Sequence, residues 1–214
     1  MINRSHWRRG STWAVIAAAI FIYVSAIVLA GKAGFMDDDT IRYVQGWESP
    51  GLTSMMETFS WLGSTLAVVA ISLVAIVLLA AVFGHRKELI LFVIVVAGSA
   101  ALNKLLKVTF QRDRPDIHRL VEQAGYSFPS GHSTAAFALY GVLAYLLWRH
   151  IPSGWGRGLM IAIGLIMTLG IGISRIYLGV HYPSDVIGGY LVSGALLGVS
   201  AEVFERTVRR RRSA

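Results

Sequence analysis

The chain has 214 residues, a formal net charge of +8 and no cysteine, and 55% of it is hydrophobic against 15% charged. A soluble globular domain usually carries about 25% charged residues, so these figures exclude an ordinary soluble enzyme, and they exclude a disordered chain as well. Without cysteine there is no disulfide framework, no thiolate metal site and no cysteine nucleophile.

What remains is an all-α polytopic membrane protein, read as a single domain over residues 1–214. A transmembrane helix needs roughly 20 mostly apolar residues, and six stretches approach that length. They are Trp13–Ala30, Leu66–Phe83, Leu89–Leu102 (extending as a helix to Lys107), Ser133–Trp148, Leu159–Ile173 and Val186–Val203. The first exceeds the roughly 7–15 residue core of a signal peptide and reads as an uncleaved helix. Between the first two, residues 31–61 mix Asp37, Asp38 and Asp39 with Tyr43, Trp47, Phe59 and Trp61. That composition predicts a loop or short helix lying in the membrane interface.

Charge placement predicts the orientation. Arg4, Arg8 and Arg9 precede the first stretch, and Arg86 and Lys87 join the second to the third. Arg149 and Arg157 join the fourth to the fifth, and Arg206 and Arg209 to Arg212 follow the last. Nine acidic residues (Asp37, Asp38, Asp39, Glu48, Glu57, Asp113, Asp116, Glu122 and Asp185) fall on the opposite side. Excess Lys and Arg mark cytoplasmic loops, so both termini are expected inside. The terminal arginine run is assigned to anionic lipid heads rather than nucleic acid.

Three polar clusters break the apolar pattern, and helix parity brings all of them to the outer surface. They are Lys107 with Arg114-Pro115, then Pro129-Ser130-Gly131-His132, then Ser174-Arg175 with His181 and Asp185. Lys107, Arg114 and Arg175 would repel one another unless an anion sits between them, and arginine forks suit tetrahedral oxyanions. Ser130 and Gly131 open a helix, whose free N–H groups and positive end favour the same ligand. Together they describe a phosphate site. Asp185 stands four residues after His181 with Pro183 at the helix start. A carboxylate there can fix one imidazole nitrogen and leave the other as a nucleophile. Lys104, Arg112 and Arg119 are read as interfacial anchors. His6, His85, His118 and His150 are read as solvated.

Lys107-x6-Arg114-Pro115, Pro129-Ser130-Gly131-His132 and Ser174-Arg175-x5-His181-x3-Asp185 resemble the three signature motifs of the type 2 phosphatidic acid phosphatase family. The match covers residues 107–185, and it is closest in kind to small bacterial members assigned as phosphatidylglycerophosphate or undecaprenyl-pyrophosphate phosphatases. The resemblance implies a six-span enzyme that hydrolyses a phospholipid or polyprenyl phosphate without metal or other cofactor. His181 is then the nucleophile that forms a phosphohistidine, Asp185 its orienting partner, and His132 the acid and later the base. Lys107, Arg114, Ser130, Gly131 and Arg175 bind the phosphoryl oxygens. A lipid-linked phosphotransferase would use the same intermediate with another acceptor. A non-catalytic lipid-phosphate transporter or binder would need the cations but neither histidine.

Overall fold

The computed structural model describes residues 7–83 and 86–210, and among them it holds eight α-helices and no strand. These are α1 (Trp7–Leu29), α2 (Gly34–Gln45), α3 (Pro50–Leu62), α4 (Thr65–Phe83), α5 (Arg86–Phe110), α6 (Gly131–Trp148), α7 (Gly154–Tyr177) and α8 (Pro183–Arg210). Arg4, His6, His85, Arg211 and Arg212 lie outside the described residues.

Local chemistry sets several of the helix starts. Ser49, Ser130 and Ser153 are N-caps whose hydroxyls accept from Leu52, Ser133 and Gly156 N–H groups. Pro50 and Pro183 occupy first helical positions, where the missing N–H costs nothing. Pro115 follows the end of α5 closely, and residues 111–130 form an irregular segment between α5 and α6.

All six apolar stretches lie in helices, and length and composition support four or five of the six expected spans. Among the described residues four helices are long and apolar enough to cross a membrane by themselves: Gly10–Leu29, Lys87–Phe110, Gly154–Tyr177 and Pro183–Val208. A fifth is reached only if α3 and α4, bent by 57° at their junction, count as one broken span. The helix that falls short is α6, and its surroundings explain why. It packs against α5, α7 and α8, with Ala136, Ala138, Leu139, Val142 and Leu146 fully buried. A helix enclosed by protein can keep a polar first turn, here His132, Ser133 and Thr134. By contrast, Leu66, Leu73, Val77, Ile94, Leu105, Ile163 and Ile166 on the outer helices are exposed, a surface that only lipid would solvate well.

Residues 31–61, expected as one loop or short helix, form two helices. Ile41, Val44 and Met56 from α2 and α3 join Ile176, Tyr177, Val180 and Val186 in a small core that roofs one end of the bundle. Of the nine acidic residues on the opposite side from the basic loops, Asp37 and Asp185 are wholly buried.

In a bilayer, close backbone approach and interhelical hydrogen bonds, rather than apolar burial, hold helices together. Both occur where α8 crosses α6. Ser193 Oγ donates to the Thr134 carbonyl at 2.8 Å, and Asn103 of α5 donates to Thr134 Oγ1 and to the Pro129 carbonyl. A Cβ on Gly189 would lie 2.7 Å from the Ser130 carbonyl oxygen and 3.0 Å from the Thr134 nitrogen. Both are backbone atoms that cannot swing away. Gly189→Ala is therefore expected to destabilise by about 1–3 kcal/mol. Gly34→Ala, with nothing within 4 Å, should be silent. Thermal melting of both variants in detergent checks this, and an unshifted Gly189→Ala melt would contradict the crossing.

Candidate active site

The three polar clusters meet at one end of the bundle because α5 and α7 end there while α6 and α8 begin. Lys107, Arg114, Gly131, His132 and His181 line one cavity of about 560 Å³. Its other walls are apolar, with Val68, Leu73 and Ile76 of α4 facing Phe92 and Val96 of α5.

The short turn between α7 and α8 presents His181. Leu178 ends α7, and Gly179 follows with φ +72°. This left-handed conformation is one that side chains disfavour. A Cβ there would also lie 1.9 Å from the His118 carbonyl oxygen, so the turn requires glycine twice over. His181 Nδ1 lies 3.3 Å from Asp185 Oδ2, and its Nε2 lies 3.0 Å from Arg114 Nη1. Because Arg114 can only donate, Nε2 is the unprotonated nitrogen and Nδ1 carries the proton. Burial, reinforced by Arg114 and Lys107 and opposed by Asp185, holds His181 down at about 3. The ring is therefore neutral at physiological pH.

Asp185 is the third residue of α8 and reaches back to the Tyr182 N–H at 2.9 Å, as in a capping box. Ser127 Oγ also donates to its Oδ2. Its Oδ1 accepts from Arg112 Nη1 at 2.6 Å, and its backbone carbonyl accepts from Ser130 N–H at 2.9 Å.

Lys107 and Arg114 converge on the cavity, and backbone carbonyl oxygens surround them. Lys107 Nζ donates to the carbonyls of Tyr126 and Ser127. Arg114 donates to those of Gly125, Val180, Ala124 and Tyr126. Burial pulls the Arg114 guanidinium below its ordinary value, and Asp185 partly offsets this. Arg175, only 3% exposed, donates to Ser60 Oγ and Gln123 Oε1, while its buried Nε has no partner among the described residues. Arg175 and Ser130 lie behind the cavity wall rather than on it. The Ser130 hydroxyl caps α6 and accepts from Ser133 Oγ. Gly131 lies on the wall, where a Cβ would sit 3.4 Å from Asn103 Oδ1. Among the described residues no group of three His, Asp or Glu could hold a metal ion.

The sequence reading missed several residues. Arg112, read as an interfacial anchor, bridges Asp185 and Asp37. The signal for Asp37 was present, since Asp37, Ile41, Val44 and Gln45 share a helical spacing and are all buried. Ser127, Gln123 and Ser60 gave no local signal, because each acts across more than 50 residues of chain. His118 and His150 pair with Glu48 and Glu88 away from the cavity.

The PAP2 superfamily profile matches residues 88–209. Phosphatidylglycerophosphatase B of Bacillus subtilis is 36% identical over 194 residues, spanning 89% of this chain and 93% of its own. YbjG of Escherichia coli, named as a candidate undecaprenyl-diphosphatase, is 31% identical over 67% of this chain and 73% of its own. The crystal structure of a transmembrane PAP2-type phosphatidylglycerolphosphate phosphatase from Bacillus subtilis superposes with a TM-score of 0.84 at 27% identity. That superposition covers 91% of this chain and 96% of the other.

The neutral, buried His181 makes a prediction about acid stability. Its folded value, about 3, lies below the ordinary 6.5, so between those limits the unfolded chain binds a proton that the folded chain does not. Stability then rises with pH across that window, by at most about 1.4 kcal/mol per pH unit for one group. His181→Gln should flatten the loss of melting temperature between pH 6.5 and pH 4. An identical acid slope in wild type and variant would contradict the assignment.

Proposed function

The chain belongs to the PAP2 superfamily of metal-independent phosphatases, and on that premise we propose that this membrane lipid phosphatase hydrolyses its substrate through a phosphohistidine on His181. The observation that carries the reading is the fixed tautomer, with Nδ1 against Asp185 and Nε2 unprotonated beside Arg114. An imidazole held in this way is a nucleophile already aimed.

In this reading the lipid phosphate takes over the donors now engaged by carbonyl oxygens. Lys107, Arg114 and the Gly131 amide hold its oxygens, Ser130 caps the helix that presents that amide, and Arg175 supplies positive charge from behind the wall. As Arg114 turns to the phosphate, Nε2 is released to attack phosphorus. The bond to the lipid oxygen breaks as the P–N bond forms, and His132 gives its proton to the leaving oxygen. The bound phosphate anion balances the three cations beside His132, which favours proton uptake there before the transfer. His132 then takes a proton from water, whose oxygen attacks phosphorus and displaces His181. Acid–base help of this type contributes about 10²–10⁴-fold, and cations aimed at the developing charge contribute further.

The substrate proposed first is phosphatidylglycerophosphate, supported by the name and extent of the Bacillus subtilis relative. Undecaprenyl pyrophosphate is second, supported by the Escherichia coli relative, and phosphatidate is third. The apolar walls between α4 and α5 suit any lipid tail. The two histidines favour hydrolysis over mere binding, whereas a phosphotransferase differs only in the acceptor. The proposal further includes six membrane crossings, with α6 as the crossing enclosed by protein, both termini in the cytoplasm and the site at the outer face. Twelve of the 20 Lys and Arg on one side support that orientation.

Phosphate release from phosphatidylglycerophosphate, undecaprenyl pyrophosphate, phosphatidate and diacylglycerol pyrophosphate in matched detergent tests the proposal. The first is expected to be fastest, activity should persist in EDTA, and vanadate should inhibit as a mimic of the five-coordinate phosphoryl group. Activity lost in EDTA and restored by Mg²⁺ would overturn the mechanism.

A further inference from the structure

We propose that Asp37 and Arg112 are positioning residues for the reaction, and that through them α2 sets the carboxylate against which the nucleophile rests. The inference rests on the reading of His181 as nucleophile. It adds a helix and two side chains that the signature motifs do not contain.

Asp37 and Asp185 are each fully buried, and they come from α2 and α8, 148 residues apart in sequence. Arg112 joins them. Its Nη2 donates to Asp37 Oδ2 at 2.8 Å and its Nη1 to Asp185 Oδ1 at 2.6 Å. One planar fork thus serves two carboxylates, an arrangement a lysine ammonium does not reproduce. The guanidinium also lies 3.9 Å from the centre of the Tyr182 ring, which fixes its plane. Asp37 does a second job. Its carboxylate accepts the Ser184 N–H at 2.9 Å and the Ser184 hydroxyl at 2.6 Å. Ser184 is the second residue of α8, so a carboxylate from another helix satisfies one of the free N–H groups at the start of α8. The helix turn that carries Asp185 is therefore held from outside by α2.

The consequence falls on the division of labour within Asp185. Arg112 occupies Oδ1, which leaves Oδ2 facing His181 Nδ1, with the Tyr182 N–H and Ser127 holding its other directions. Without the fork Oδ1 loses its charged partner, and two buried anions face each other without a cation between them. The imidazole then loses the fixed acceptor that selects its tautomer. Neither Asp37 nor Arg112 lines the cavity. Both therefore act through Asp185 and not on the lipid, so the effect belongs in kcat rather than KM.

The test compares Asp37→Asn, Arg112→Lys and the double variant with wild type in detergent micelles. The substrate is whichever of the four lipid phosphates wild type hydrolyses fastest. Each single variant is expected to lose about 10–100-fold in kcat, the usual range for residues that orient a catalytic group, with KM unchanged. Because both lie on one path, the double variant should be little worse than the more impaired single. A purely structural role would lower yield and melting temperature while leaving the kcat of the folded protein intact. Wild-type kcat in both single variants, or losses that multiply in the double, would overturn the proposal. If one single variant does not fold, the kcat and KM of the other still decide it. Wild-type turnover by His181→Ala would instead overturn the nucleophile assignment, and with it this inference. An inactive His181→Ala beside fully active Asp37→Asn and Arg112→Lys would reject the inference alone.

Discussion

The structure turns on the Asp185 carboxylate, buried at the start of α8. One of its oxygens faces His181, Ser127 and the Tyr182 amide, and the other receives Arg112. Its backbone carbonyl receives the amide of Ser130, the cap of α6. A buried anion is tolerated only when it is paired and hydrogen-bonded. Satisfying this one recruits α2 through Arg112 and residues 111–130 through Ser127, while the Asp185 main-chain carbonyl ties in α6 through Ser130. The helices of the site are held in place by the same contacts that orient the His181 imidazole.

A second constraint is the concentration of positive charge. Lys107, Arg114 and Arg175 converge where water is scarce, and such cations require partners. The carbonyl oxygens of residues 124–127 and 180 supply partial negative charge in directions that phosphoryl oxygens can also occupy. Neutral acceptors hold cations less strongly than an anion does, so in the proposed reading a phosphate replaces them without dismantling the wall. The apolar groove beside this charge, between α4 and α5, suits a substrate that is ionic at one end and hydrocarbon at the other. Specificity for a lipid then follows from a single cavity with two unlike halves.

Much of this was legible in the sequence because most of the motif residues sit at or beside helix ends, where short spacings translate directly into place. Lys107, Gly131, His132 and His181 line the cavity that their motifs imply. α6 falls short of a span by composition because it is enclosed by protein, and its sequence reflects those neighbours rather than lipid. Arg112 was missed because an arginine two residues from Arg114 looks like an interfacial anchor until its partners are seen. Those partners are separated from it by 75 and 73 residues. Asp37 was hidden by Asp38 and Asp39, and only the helical phase it shares with Ile41 and Val44 marks it as the buried member of the run.

The central claim is that His181 carries the phosphoryl group between the lipid and water. Rapid acid-free quenching of His132→Ala with a phosphate-labelled aryl ester, whose phenolate leaves without a proton, tests it most directly, because that variant keeps His181 and loses the group assigned to activating water. The account predicts labelled protein whose label is acid-labile, stable to base and located at His181, and which is absent when His181 is also replaced by Ala. Labelled phosphate released with no labelled protein, or label found on another residue, would contradict it.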